Sequence, residues 1–551
     1  MKLQENKIEK YLAWLLTISV LVRGFLAAFI EFGNDEVYYW TYAMYPDWSH
    51  FDHPGMVGWI MQIFSLNLLL HSEFALRLSS IIFMTFDTFI IYKIGCLVKN
   101  KIAGFYAALL YTASFYCFVI TGVFIMPDTP LMLFTLLAMY CFLSSFRPTE
   151  GSGEILSSNK LSGKEDLFTC GECSRFARVS TTPRSARNDG QLVLAGLFTG
   201  LALLSKYSAG FIWVGVGLYI LFYDRKQLKN KYLYLSILIS AVCMLPLLIW
   251  NMQNDLISFT FHGDRVSLFG KLQPLDFLAE IAGELGYNNP INYILIIIAL
   301  VVFWRGKKYL DETSGRLLLC FALPFIGLFW FFSLTRPILP HWSAPAFTLL
   351  LLFPASYFAD KQSVSDETIR LPKPIIATVS LLVLVLIFGT LEIKTGFIPL
   401  RFGERANSVQ RYGEGDFTTT IYGWRSIKDD FQKIREEKIA EGEMKESDGM
   451  VGLQWFPMAN FDYYVANPLG INMFGLRDID KIHKYYWINE NRGGLQKGND
   501  YWFLDESSDY YAPERYLDDK FEAIVPCDTI VVDRCGTPAK YVFVYMCKGL
   551  K

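Results

Sequence analysis

YLAWLLTISVLVRGFLAAFI, residues 11–30, runs into EFGNDE, residues 31–36, and then into Asp47 and Asp52-His53-Pro54. The first stretch has the length and apolarity of a helix that crosses a bilayer, which takes roughly 20 residues. The second places carboxylates and a histidine where that helix leaves the membrane. Acidic groups at such a mouth point to a site for chemistry or transport rather than an anchor. The apolar run lacks a small-residue cleavage site and is followed by more of its kind, so it reads as a retained first span and not a signal peptide.

Further spans are expected at 77–98, 102–121, 129–146, 191–205, 209–222, 232–250, 291–304, 316–332, 342–358 and 375–391, about eleven in all. The apolar run Met56 to Leu70 is expected to cross or to lie in the interface. Composition agrees with a polytopic membrane protein: of 551 residues 52% are hydrophobic and 19% charged, and mean hydropathy is +0.28. A net charge of -2 offers no basic field to collect nucleic-acid phosphates.

Lys and Arg set the sidedness. With 56–70 interfacial, Lys99 and Lys101, the 147–190 loop, Arg225 to Lys231, Arg305 to Lys308 and Lys361 to Lys373 share one side, which the positive-inside rule makes cytoplasmic. The loop 31–76, the turn at Asp128, 251–290, 335–341 and everything after 394 then face outward. Residues 395–551 turn polar and aromatic-rich, and Tyr541 to Tyr545 alternate as a strand does, so an exported mixed α/β domain is expected after a membrane domain over 1–394. One disulfide among Cys527, Cys535 and Cys547 is compatible with that compartment. Cys170-x-x-Cys173 is one pair in a polar, Ser- and Gly-rich loop and cannot complete a structural zinc site.

The outward loops supply Asp35, Glu36, Asp52, His53, Asp128, His262, Asp264, Arg265, Arg336 and His341. A carboxylate at the membrane surface can deprotonate a hydroxyl acceptor, and burial there would raise its pKa toward the working pH. A histidine with a second carboxylate can hold a divalent cation or a phosphate. The alternative for Asp35 and Asp128 is helix capping. Pro54 presents Asp52 and His53 in an extended segment. Lys206 interrupts two apolar stretches and can meet a lipid phosphate or simply snorkel. The fork of Arg336 suits phosphate oxygens.

Asn34-Asp35-Glu36-Val37-Tyr38-Tyr39-Trp40, Tyr45 through Pro54, Leu76-Arg77-Leu78-Ser79, Met126 through Pro130, Leu203 through Tyr207 and Pro340 through Pro345 together resemble the bacterial GT-C glycosyltransferases. More narrowly, they resemble the dolichyl-phosphate-mannose protein mannosyltransferase-like family that includes the aminoarabinose transferases of lipid A. The resemblance covers about residues 10–395. It implies a GT-C polytopic helical fold and transfer of a sugar, with inversion, from a polyprenyl-phosphate carrier to a glycolipid or cell-surface polysaccharide on the outer face of the inner membrane. The enzyme would work as a monomer among membrane lipids.

By the same resemblance Asp35 is the residue that deprotonates or orients the acceptor, with Asp128 a second functional carboxylate. Asp52 and His262 belong to a divalent-cation site (Mg, Mn or Zn). Glu36, His53, Lys206, Arg265, Arg336 and His341 bind substrate. His53 stands where aminoarabinose transferases have lysine and protein mannosyltransferases have histidine, so the carrier phosphate falls to His53, Lys206 or Arg336. A protein O-mannosyltransferase would need a Ser/Thr peptide acceptor, a flippase of lipid-linked sugars would need polar groups at mid-span, and a scaffold would tolerate loss of Asp35.

Overall fold

The computed structural model describes residues 2–147, 184–264, 271–362, 368–400 and 408–551. Every one of the eleven apolar stretches contains a helix. Six helices are long and apolar enough to cross a membrane: α1 (Ile8–Phe29), α4 (Glu73–Val98), α6 (Asp128–Phe146), α9 (Lys231–Gln253), α13 (Glu312–Ser333) and α16 (Lys373–Thr395). Between α1 and α4 lie α2 (Asn34–Met44) and α3 (Met56–Phe64). At 1.5 Å per residue the 9 residues of α3 fall well short of a bilayer, so the 56–70 run does not span.

Shorter helices complete the bundle: α5 (Lys101–Ala113), α7 (Arg184–Leu203), α8 (Phe211–Tyr223), α14 (Ala344–Leu350) and α15 (Leu352–Asp360). The 251–290 loop carries α10 (Ile257–Asp264) and α11 (Pro274–Tyr287), and α11 meets α12 (Pro290–Trp304) at a bend of 101°. Starts are set by local chemistry. Ser72 caps α4 through Ala75 N (3.3 Å), Asn100 caps α5 through Ala103 N (2.9 Å) and Asp311 caps α13 through Ser314 N (3.0 Å). Gly95 lets α4 and α5 touch, since a Cβ there would lie 2.5 Å from Gly104 Cα.

The cation-rich loops gather at one end. Lys99 pairs with Asp360 (2.7 Å), Arg147 with Asp311 (3.6 Å), and strand β1 (Lys2–Gln4) joins β2 (Thr368–Arg370) there. The Cys170–Cys173 pair and most of the 147–190 loop lie outside the described residues.

Past 408 the chain forms a five-stranded mixed sheet in the order β4 (Met473–Gly475), β3 (Gly449–Gly452), β5 (Tyr501–Glu506), β7 (Thr537–Leu550), β6 (Phe521–Arg534). Strand β3 runs parallel to β4 and β5, and β7 antiparallel to β5 and β6. Cys527, Cys535 and Cys547 are all free thiols, so the compatible disulfide does not form. This sheet is not held apart from the membrane helices. One continuous core joins Phe32, Val37, Trp40 and Val57 to Trp424, Met458, Val465 and Trp502. Tyr463 packs on Phe32 and Trp40 at 5.1 Å each, Arg425 pairs with Glu73 (2.7 Å), and Lys484 Nζ lies 2.7 Å from His50 Nδ1. Tyr412, Tyr422, Tyr463 and Tyr464 stack on neighbours or bond backbone and Glu73.

Candidate active site

Helix α2 carries two carboxylates with opposite fates. Glu36, at the third position of the helix, accepts from Gly33 N (3.1 Å), Ile125 N (3.0 Å), Arg77 Nε (2.7 Å) and Arg77 Nη2 (2.5 Å). Its acceptor capacity is filled, so the substrate role expected of it gives way to a structural one: Glu36 pins α2 to α4 and to the Ile125 turn. Asp35 one residue earlier turns into a cavity, and among the described residues no donor reaches its carboxylate. It caps nothing. Burial, then the charges of Asp52 and Glu36, push its pKa up to about 6 against the pull of Lys206.

The Asp52-His53-Pro54 turn is folded back by His50 N on His53 O (3.0 Å) and Gly55 N on Trp48 O (3.3 Å). It is seated against α2 because Gly58 allows α3 to touch Tyr42, where a Cβ would meet backbone at 2.8 Å. Asp52 accepts from Tyr38 (2.9 Å) and Tyr42, hydroxyls one helical turn apart on α2. Burial raises its pKa, but His53, His483 and those hydroxyls hold it below the ordinary carboxylate value. Burial drives His53 down to about 3, leaving a neutral ring whose Nδ1 is buried without a partner.

Across the site Asp128, at the start of α6, grips Lys206 through both oxygens (3.0 and 2.9 Å) and accepts from Tyr116 (2.9 Å). Lys206 thus turns inward; it is 8% exposed and does not snorkel. His341 faces Asp128 and Lys206 and is lowered to about 4 by burial, while Glu284 fixes its loop through Ser343 (2.6 Å).

Two cavities border this cluster, with no lining residue in common. One of about 430 Å³ is lined by Asp35, Tyr287 and His341, by apolar residues of α1 and α16, and by Phe417, Thr420 and Ile421. The other, of about 240 Å³, is lined by His53, Lys206, Tyr207 and His262 and by an aromatic wall of Phe211, Phe329, Phe332 and Trp342. A carboxylate therefore looks into one chamber and a cation into the other.

The remaining expected residues divide. His262 lines the second cavity, but its Nε2 sits 2.6 Å from the main-chain oxygen of Asp52, while the Asp52 side chain is turned to the tyrosines. Among the described residues no three His, Cys, Asp or Glu side chains come together as a metal set, so Asp52 and His262 do not fit a divalent ion on their own. Arg336 lines neither cavity. Arg265 lies outside the described residues. Tyr38, Tyr42, Tyr116 and Tyr207 were missed by reading charges alone; the i, i+4 spacing of Tyr38 and Tyr42 was the available signal for two of them.

A family model described as dolichyl-phosphate-mannose-protein mannosyltransferase matches residues 52–152 and 172–250. The lipid A galacturonosyltransferase RgtD of Rhizobium johnstonii is 20% identical over 323 residues, and the matched region spans 58% of each protein. Crystal structures of ArnT from Cupriavidus metallidurans share the fold. The apo form has a TM-score of 0.60 at 12% identity, covering 98% of both chains. The form bound to undecaprenyl phosphate has 0.61 at 12%, covering 97% of this chain and 98% of that one. The chain thus shares the fold of ArnT and, over residues 52–152 and 172–250, is similar to the dolichyl-phosphate-mannose-protein mannosyltransferases.

Proposed function

We propose that the protein is an inverting glycosyltransferase of the inner membrane that moves a sugar from a polyprenyl-phosphate carrier to a glycolipid acceptor on the outer face. The observation that carries this reading is the pair of cavities at one site, one lined by Asp35 and His341 and the other by His53 and by Lys206, which Asp128 holds. The His53 and Lys206 chamber suits an isoprenoid phosphate: aromatic wall for the chain, ammonium for the phosphate. The Asp35 chamber, walled by apolar residues of α1 and α16, suits an acceptor that is itself a lipid. The undecaprenyl phosphate in ArnT and the lipid A acceptor in the name of RgtD support the two classes of substrate. The gathering of cationic loops at the opposite end supports the outward orientation.

In this reading the acceptor hydroxyl gives its proton to Asp35 as its oxygen attacks the anomeric carbon. The carbon–oxygen bond to the phosphate breaks on the opposite face of the ring, and its electron pair leaves with the phosphate oxygen. A phosphate monoester needs charge stabilisation more than a proton, which Lys206 supplies, with the neutral His53 ring as hydrogen-bond donor. Asp128 and Tyr116 hold Lys206 in place. The family model's name favours one other acceptor, a Ser/Thr side chain of an exported protein.

The test is transfer from a radiolabelled polyprenyl-phosphate-sugar pool into membrane glycolipids, with a Ser/Thr peptide as competing acceptor. Asp35→Asn is expected to cut transfer at least ~100-fold while carrier binding persists. Undiminished transfer would remove Asp35 as the base, and label in the peptide alone would move the reading to protein glycosylation.

A further inference from the structure

Beside the Asp35 cavity, and sharing its wall at Phe417 and Thr420, lies a second polar hollow of about 230 Å³. Its lining comes from residues 413–420, Phe456 and the end of β5 with the turn after it, so it belongs to the sheet side of the molecule. Glu506 lines it while 0% exposed, and neither of its carboxylate oxygens accepts a hydrogen bond of good geometry, although Lys540 Nζ is 2.9 Å away. Ser508 Oγ beside it is buried and, among the described residues, without a partner. Asp509 receives only the Tyr511 hydroxyl, at 3.3 Å, among the described residues. Phe417, at the seam of the two cavities, is 67% exposed, which is unusual for a phenyl ring and leaves one face free.

The charges decide what class of ligand fits. Glu506 is matched by Lys540 and Asp416 by Arg534 (3.0 Å), so the hollow has little net attraction for a free cation. What remains is directional: unfilled acceptors, a hydroxyl able to donate or accept, and two aromatic rings. Those features complement a ring with hydroxyls at its edge and C–H bonds on its face. The volume is below that of sites for drug-sized ligands.

We infer that this hollow is a saccharide subsite, which takes one sugar ring of the acceptor's headgroup while the acceptor's apolar part occupies the Asp35 cavity. The inference rests on the proposed glycosyltransferase reading and assigns the sugar of its glycolipid acceptor a place on the molecule. Hydroxyls of that ring donate to Glu506 and Asp509 and exchange a hydrogen bond with Ser508, and the ring covers Phe417. No bond is made or broken there; the subsite positions the acceptor.

The test uses the purified full-length chain in detergent, with methyl β-glucoside and methyl 2-amino-2-deoxyglucoside as probes and acyclic sorbitol as control, read by saturation-transfer NMR. The variants Ser508→Ala and Asp509→Asn are chosen over Glu506 because both residues are partly exposed and neither holds a buried ion pair. Saturation of the ring protons of a glycoside but not of sorbitol, weakened about tenfold in affinity by Asp509→Asn and unchanged in Asp35→Asn, is the expected result. Failure of both glycosides to bind the wild type, or equal binding by the Ser508 and Asp509 variants, would overturn the subsite. Normal transfer by Asp35→Asn would instead count against the base assignment and leave the glycoside result standing. In the transfer assay the same variants raise acceptor KM without lowering kcat.

Discussion

Asp35 and Glu36 are neighbours in sequence, and the step of roughly 100° between adjacent residues of a helix separates their chemistry. Glu36 is spent on four donors and Asp35 on none, so their substitutions should fail differently. Breaking the buried Glu36–Arg77 pair by Glu36→Gln is expected to cost about 3–5 kcal/mol of stability, read as a lowered thermal midpoint in detergent, because it leaves the Arg77 guanidinium uncompensated in a dry site. Asp35→Asn should melt with the wild type. The pH profile separates Asp35 from its neighbours. A base works as the carboxylate, so kcat/KM should fall as pH drops through about 6, where Asp35 takes up its proton. His53, at about 3, and His341, at about 4, stay neutral across that window and contribute no limb to it. A pH-independent rate between 5 and 7 would contradict this. The sequence made Asp35, Asp128 and Lys206 legible because charges at helix mouths in an apolar chain stand out. It could not tell Asp35 from Glu36, since the partner that fills Glu36, Arg77, lies 41 residues away on another helix.

Helix α3 shows what packing adds to a charge pattern. Its apolarity alone left open whether 56–70 crosses the membrane; the break after Phe64, where Leu66, Asn67 and Leu68 all take positive φ, stops it at 9 residues. The helix then acts as a strut under the Asp52–His53 turn. Gly58 is the contact, and any side chain there must push α3 away from the backbone of Tyr42. Gly58→Val is expected to displace His53 from the Lys206 chamber and to raise carrier KM several-fold, an effect that a substitution facing open space, such as Gly217→Val on α8, should not reproduce. The eleven apolar stretches were readable because each is a long run with charged ends. Helices α10 and α11 were not, being short pieces within one loop, which carries His262 of the Lys206 chamber and Tyr287 of the Asp35 chamber.

At the scale of the whole molecule, the chain after 408 closes one chamber and not the other, through the short helix Phe417–Ile421. Phe417, Thr420 and Ile421 form part of the Asp35 cavity, whereas every residue lining the Lys206 cavity comes from the first 342 positions. A mixed α/β unit was foreseeable from the change in composition and from the strand pattern at 541–545. Its fusion to the first loop through Trp424, Met458 and Tyr463 was not, because apolar residues in a soluble unit do not announce which neighbour they cover. If the two chambers hold different substrates, they should be separable by filling one. Gly389 on α16 lines the Asp35 cavity, and nothing lies within 4 Å of where its Cβ would be, so Gly389→Trp adds bulk to that chamber with no clash at its root. Trp342→Ala removes a wall of the other. Steady-state kinetics with both substrates varied should then show acceptor KM raised and carrier KM held for Gly389→Trp, and the reverse for Trp342→Ala. If either substitution moved both constants together, the chambers would be one binding site, and the division of labour between Asp35 and Lys206 would have to be redrawn.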